Sequence, residues 1–191
     1  MGRGVATLRV QSAHPTRFRR PTAQSSMSEV QKTLEQFKKA FGGPGDRTDD
    51  CLHLMAQLKI GLLGLTSLPP AAPSAPTQPQ QQELSVAREV LEYGALLSIK
   101  TMDIPSFERY VAQLKIYYTD CAAHLPESER QFPILGLNLL RLLAQNRIAE
   151  FHTELEQVPM ALQQSNSYIK FPAQACHTPR RPCTRAHPPR A

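Results

Sequence analysis

Apolar residues recur at steps of three and four along most of this chain, the spacing of helices that pack on one face. In residues 28 to 41, SEVQKTLEQFKKAF, Val30, Leu34, Phe37 and Phe41 form one stripe, and Ser28 is placed to cap it. GGPG at 42 to 45 stops that helix, because Gly and Pro extend one only at a cost. Thr48 or Asp49 can cap a second helix, whose stripe is Leu52, Met55, Leu58, Leu62 and Leu65. The rhythm then breaks at PPAAPSAPTQPQQQ, residues 69 to 82, where five prolines and no charge predict an extended linker.

Four further segments follow in close succession. Residues 83 to 100 carry Leu84, Ala87, Leu91, Ala95 and Ile99. Asp103 then caps a helix that has Pro105 in its first turn, where a missing N–H leaves no intrahelical bond unmade. Its stripe is Ile104, Phe107, Val111, Leu114, Tyr118 and Cys121. Ser128 can cap the next, 132 to 145, which is apolar on nearly every side and should lie packed between neighbours. Asn146 permits a tight turn into a helix bearing Ile148, Phe151 and Leu155, and a weaker segment is expected at 160 to 169.

No strand-like alternation interrupts this pattern. Helix pairs with short connections, repeating at about forty residues, predict an all-α fold: a short right-handed helical-repeat (TPR-like) array with disordered basic tails. The expected core residues are Phe107, Val111, Leu114 and Tyr118 in one helix, Leu135, Leu139 and Leu142 in the next, then Phe151 and Leu155. The predicted organisation is a disordered Arg-rich extension at 1–26, two helices at 27–68, the linker at 69–82, the repeat region at 83–171 and a disordered tail at 172–191.

Charge refines this division. The 191 residues carry a net charge of +6. Yet Arg3, Arg9, Arg17, Arg19 and Arg20 at one end, with Arg180, Arg181, Arg185 and Arg190 at the other, leave residues 27 to 170 with 13 basic against 16 acidic side chains. The basicity that would suggest a nucleic-acid or membrane partner therefore belongs to the tails. An Arg-rich, acid-free N-terminus fits a mitochondrial transit segment, but its apolar residues are too sparse for an amphipathic helix, and an extension ahead of Met27 is the simpler reading. The most apolar run, residues 52 to 68, holds His53, Gln57 and Lys59 and reads as a core helix, not a span.

Candidate chemistry concentrates in the tail. Cys176, His177, Cys183 and His187 are four zinc-ligand types, but the two cysteines are too far apart for a C-x₂₋₄-C knuckle, and adjacent Cys176 and His177 cannot easily face one ion. The tail arginines would release counterions from phosphate, but aromatic residues for base stacking are missing there. His152 and Glu156 share a helix face without the H-E-x-x-H pattern, so a solvated polar face is expected. FGGPGD lacks the Lys-Ser/Thr of a phosphate loop and reads as a turn. Cys51 and Cys121 fall on apolar stripes, where free cysteine acts as a small hydrophobe. The expectation is a chain with no catalytic, metal or cofactor residues.

DIPSFERYVAQLKIYYTD (103–120), LPESE (125–129), LGLNLLRLLAQNRIAEFHTELE (135–156) and YIKFP (168–172) closely resemble the PCI family of proteasome-lid subunits. The resemblance is dense over 84 to 172 and weaker, though in order, over 27 to 68. It implies a non-catalytic scaffold without cofactors, working in lid assembly and ubiquitin-dependent protein degradation in cytoplasm and nucleus. Its implied partners are other lid subunits, with no dedicated nucleic acid, membrane or small-molecule substrate. Family members continue from the repeats into a winged helix and a terminal bundle helix. After Pro172 this chain turns to Pro, Arg, Cys and His, so it is expected to lack that part and to be impaired in assembly. A freestanding α-helical adaptor that binds a partner helix is the alternative.

Overall fold

The computed structural model describes residues 23–43, 47–65, 67–69 and 76–177. These form eight helices and no strand: α1 (Ala23–Gly42), α2 (Thr48–Leu62), α3 (Gln78–Lys100), α4 (Ile104–Thr119), α5 (Gln131–Ala144), α6 (Ile148–Glu156), α7 (Met160–Ser165) and α8 (Ser167–His177). α1 packs on α2 and α3 on α4, with α5 packed mainly on α8. The all-helical class read from the sequence is what the described residues form.

Several boundaries differ from the sequence expectation, each for a local reason. α1 starts at Ala23, five residues before Ser28, because Ala-Gln-Ser-Ser-Met contains nothing that breaks a helix. Residues 23 to 26 are therefore helical, not part of an unstructured extension. α3 begins at Gln78, inside the stretch expected to be linker. Thr77 stands at the N-cap, its N–H donates to Gln80 Oε1 at 2.8 Å, and Pro79 occupies the first turn, where proline is tolerated. The weak segment at 160 to 169 resolves into α7 and α8. The latter runs to His177 with Pro172 inside it, so residues 172 to 177 are not a disordered tail. Arg180 to Arg190, Cys183 and His187 lie outside the described residues, as does the region of Arg3 to Arg20.

The turns behave as their residues dictate. Asp103 caps α4 by accepting from the Ser106 N–H at 3.1 Å. α3 ends in a Schellman motif: Asp103 N–H reaches the Ser98 carbonyl and Met102 N–H reaches that of Ile99, with Met102 at a left-handed φ of 58°. α5 ends the same way around Asn146, φ 59°, whose neighbour Arg147 donates its N–H to the Leu142 carbonyl.

The buried residues separate into two clusters. The larger joins α1 to α4 through residues such as Leu34, Phe37, Leu58, Leu84, Leu97 and Leu114, and takes Ile134 from α5. The smaller consists of Leu139, Leu142, Phe151, Val158 and Ile169. A polar knot lies beside the larger cluster. Glu92, only 1% exposed, accepts from the Tyr118 hydroxyl at 3.1 Å and faces Arg88 at 3.8 Å and Arg130 at 3.7 Å. Arg88 in turn donates to the Pro126 carbonyl at 2.6 Å, and Arg130 lies over the Tyr93 ring, 4.4 Å from its centroid. These bonds tie α3 to α4 and to the connection before α5.

Candidate protein-interaction surface

Of the core residues expected from sequence, Phe107, Val111, Leu114, Leu139, Leu142 and Phe151 are buried. Tyr118, Leu135 and Leu155 are half-buried and packed against the clusters. The structure divides this set: Phe107, Val111 and Leu114 sit in the larger cluster, whereas Leu139, Leu142 and Phe151 form the smaller. Sequence reasoning missed Tyr110 and Tyr117, both buried on α4 beside the expected stripe. Their signal was present, since aromatics at i and i+7 flank that stripe. Ile104, placed on the stripe, is exposed instead. α5 is less enclosed than its composition suggests. Its Leu137 reaches solvent, because α4, α6 and α8 leave one side of the helix open.

The α5–α8 layer is built from small contacts. At Gly136 a Cβ would stand 2.4 Å from the Tyr168 carbonyl oxygen, so only glycine lets α8 approach this closely. Pro172 lacks the N–H that would ordinarily bond that same carbonyl, and the close Gly136 backbone occupies the space beside it. Buried Asn138 on the same helix accepts from Arg141 Nη2 at 2.8 Å. Ion pairs fasten the layer to α4: Lys115 with Glu154, and Arg141 and Arg147 with Glu108.

Among its polar exposed residues, this layer also presents large apolar side chains. Met160, Tyr168 and Phe171 are exposed on α7 and α8, Phe171 by 64%. Where α5 meets α3 and α4, Ile99, Met102, Ile104, Phe107, Leu137 and Leu140 line an open cavity of about 370 Å³. Large side chains left in water on neighbouring elements are what a protein-binding surface offers.

Of the candidate reactive residues, the described structure brings together only Cys176 and His152. His152 and Glu156 are exposed on α6. Cys176 Sγ lies 3.9 Å from His152 Nε2, and the thiol packs against the smaller cluster. Among the described residues no group of three or more His, Cys, Asp or Glu side chains could hold a metal ion. Cys51 and Cys121 are buried, and burial pushes both thiols up from the ordinary value, away from the thiolate that reactivity needs. Burial also pushes the Tyr117 hydroxyl up to about 12, and burial with the Glu92 charge raises that of Tyr118, so both remain protonated donors. No described helix is long and apolar enough to cross a membrane.

Comparison with known proteins bears on this same layer. Residues 129–175, which cover α5 to α7 and all but the last two residues of α8, match the CSN8/PSMD8/EIF3K family. The chain is 47% identical over 135 residues to 26S proteasome non-ATPase regulatory subunit 8 homolog A of Arabidopsis thaliana, covering 71% of this chain and 49% of that protein. It is 48% identical over 92 residues to 26S proteasome regulatory subunit rpn12 of Schizosaccharomyces pombe, covering 48% of this chain and 33% of the relative. With RPN12 of Saccharomyces cerevisiae the identity is 37% over 92 residues, 47% of this chain and 34% of the relative. The chain thus spans half or less of the length of these curated relatives. Over that span it is homologous to the 26S proteasome non-ATPase regulatory subunit 8 proteins, and its α5–α8 layer carries the sequence pattern of the CSN8/PSMD8/EIF3K family.

Proposed function

We propose that this chain is a non-catalytic structural subunit of the 26S proteasome regulatory particle lid, supporting lid assembly and so ubiquitin-dependent protein degradation. The observation that carries this reading is the 47% identity over 135 residues to a proteasome non-ATPase regulatory subunit. The physical features agree with it. Stacked amphipathic helices bury side chains at about 1.5–3 kcal/mol each, and their outward apolar residues suit helix-to-helix contact with neighbouring subunits. The partners are accordingly other lid subunits, and the compartments are cytoplasm and nucleus.

An affinity-tagged chain expressed in cells tests the proposal. Recovery of the regulatory-particle subunits in a complex that survives moderate salt is expected. Substituting Tyr168→Asp together with Phe171→Asp, both exposed, should lower that recovery without reducing helicity. Recovery of the chain alone, or only of proteins outside the particle, would overturn the reading and favour the freestanding adaptor.

A further inference from the structure

A second surface lies away from α5–α8. Between α2 and α4 runs a groove of about 410 Å³ whose apolar walls include Leu62 of α2, Leu63 just after it, and Tyr110, Ile116 and Tyr117 of α4. A smaller cavity of about 140 Å³ continues it past Leu52 and Ala56, sharing Lys59, Ser106 and Tyr110 with the larger. Along α2 the groove thus follows residues 52 to 63, roughly 16 Å at 1.5 Å per residue, or three helical turns. Two large apolar side chains stand exposed at the C-terminal end of α2: Ile60 is 70% exposed and Leu63, the residue after the helix, 85%.

Charge says what would fit. The larger cavity is lined by Lys59 and Arg109 and by no acidic residue. Lys59 Nζ hangs over the Tyr110 ring, 4.9 Å from its centroid, and Arg109 donates to Ser106 Oγ at 2.8 Å. Neither cation forms an ion pair among the described residues, whereas Arg88, Arg130, Arg141 and Arg147 all do. The nearest acid on the lining is Asp103 of the smaller cavity, which is engaged as the α4 cap.

We propose that the α2–α4 groove is a docking site for an acidic amphipathic helix of a partner protein. Leu or Ile side chains one turn apart seat between Leu63 and Ile116, and flanking carboxylates pair with Lys59 and Arg109. The spacing is that of helix-in-groove recognition, and the cations fix register and orientation. This goes beyond the lid reading, uses none of residues 129–175, and stands or falls separately from it.

The test uses the full chain and a fluorescent synthetic helix of about 16 residues, long enough to fill the groove, with Leu at i, i+4, i+7 and i+11 and Glu on its flanks. A counterpart carries Lys for every Glu. By fluorescence anisotropy the acidic peptide should bind at least about tenfold tighter than the basic one, and should weaken as salt rises. Lys59→Glu with Arg109→Glu, both on the surface, should reduce its affinity by about tenfold or more with helicity unchanged. Equal binding of the two peptides would overturn the proposal. So would undiminished binding by the double variant, which would place the acidic peptide on other cations of the chain. A Leu63→Cys variant, made with Cys176 and Cys183 changed to Ser so that neither takes the label, reports on other occupants. Prompt maleimide labelling of the free chain is expected. Slow labelling would mean that the chain's own 70–75 segment or a second copy fills the groove, and would also overturn the assignment.

Discussion

The helices α1 to α4 close around a cluster that runs from Val30 to Leu125 and, among the described residues beyond it, borrows only Ile134. The helices α5 to α8 close around a cluster of five buried apolar residues, and they lean on α4 through the Lys115–Glu154 and Arg141–Glu108 pairs. The first region has a core of its own. The second has a thin apolar seam, one close backbone approach at Gly136, and a set of partly exposed ion pairs worth little individually. It is also the region that exposes Met160, Tyr168 and Phe171 and that matches the family pattern over residues 129–175. A layer so built is suited to gain burial from a neighbour, as repeat layers do from the next repeat.

The largest effect that would break this contrast comes from a buried charge. Phe107→Asp should unfold the chain as a whole, since an unpaired buried carboxylate costs several kcal/mol in the larger cluster. Leu139→Asp should release α5–α8 while α1–α4 keep slow amide exchange, measured by hydrogen-exchange mass spectrometry. Equal loss of protection throughout in both variants would show that the two clusters are one cooperative unit.

Glu92→Ala comes next. It leaves Arg88 buried without its carboxylate and removes the acceptor of Tyr118, so a loss of about 3–5 kcal/mol is expected by denaturant titration. Gly136→Ala should cost about 1–3 kcal/mol, because α8 must move away from α5. That loss should appear as faster exchange in α8 and not in α1.

The smallest effect is at the α3–α4 turn. Its bond with Ser106, aided by Arg109 and Lys59, holds the Asp103 carboxyl below the usual value. A carboxylate whose pKa is lowered on folding contributes stability above its unfolded pKa and loses it as pH falls through the folded one. Asp103→Asn keeps a capping oxygen without the charge, so its melting temperature should decline less than that of the unaltered chain between about pH 7 and pH 3. Parallel declines would mean the cap's charge plays no part.

The helices themselves were legible because apolar spacing encodes which face is buried, and Asp103 and Asn146 announced their turns. Prolines misled the boundaries. Pro79 read as linker although Thr77 and Gln80 frame it in a capping box, and Pro172 read as an end although Gly136 lets that part of α8 lie against α5. The split into two clusters was not legible at all. It depends on which helices meet, and neither Ile134 nor Leu139 carries a local sign of belonging to different ones. Tyr110 and Tyr117 escaped for a related reason: α4 is covered on more than one side, which widens its buried face beyond a single stripe. The α2–α4 groove required three dimensions, since Lys59 and Arg109 are fifty residues apart in sequence.

The central claim is that this chain acts by being built into a larger assembly. Native mass analysis of the tagged chain in cell extract tests it most directly. Migration with the other regulatory-particle subunits at a fixed stoichiometry is the predicted result. A chain found only as a free single polypeptide, with its α5–α8 layer protected to the same degree as α1–α4, would contradict it.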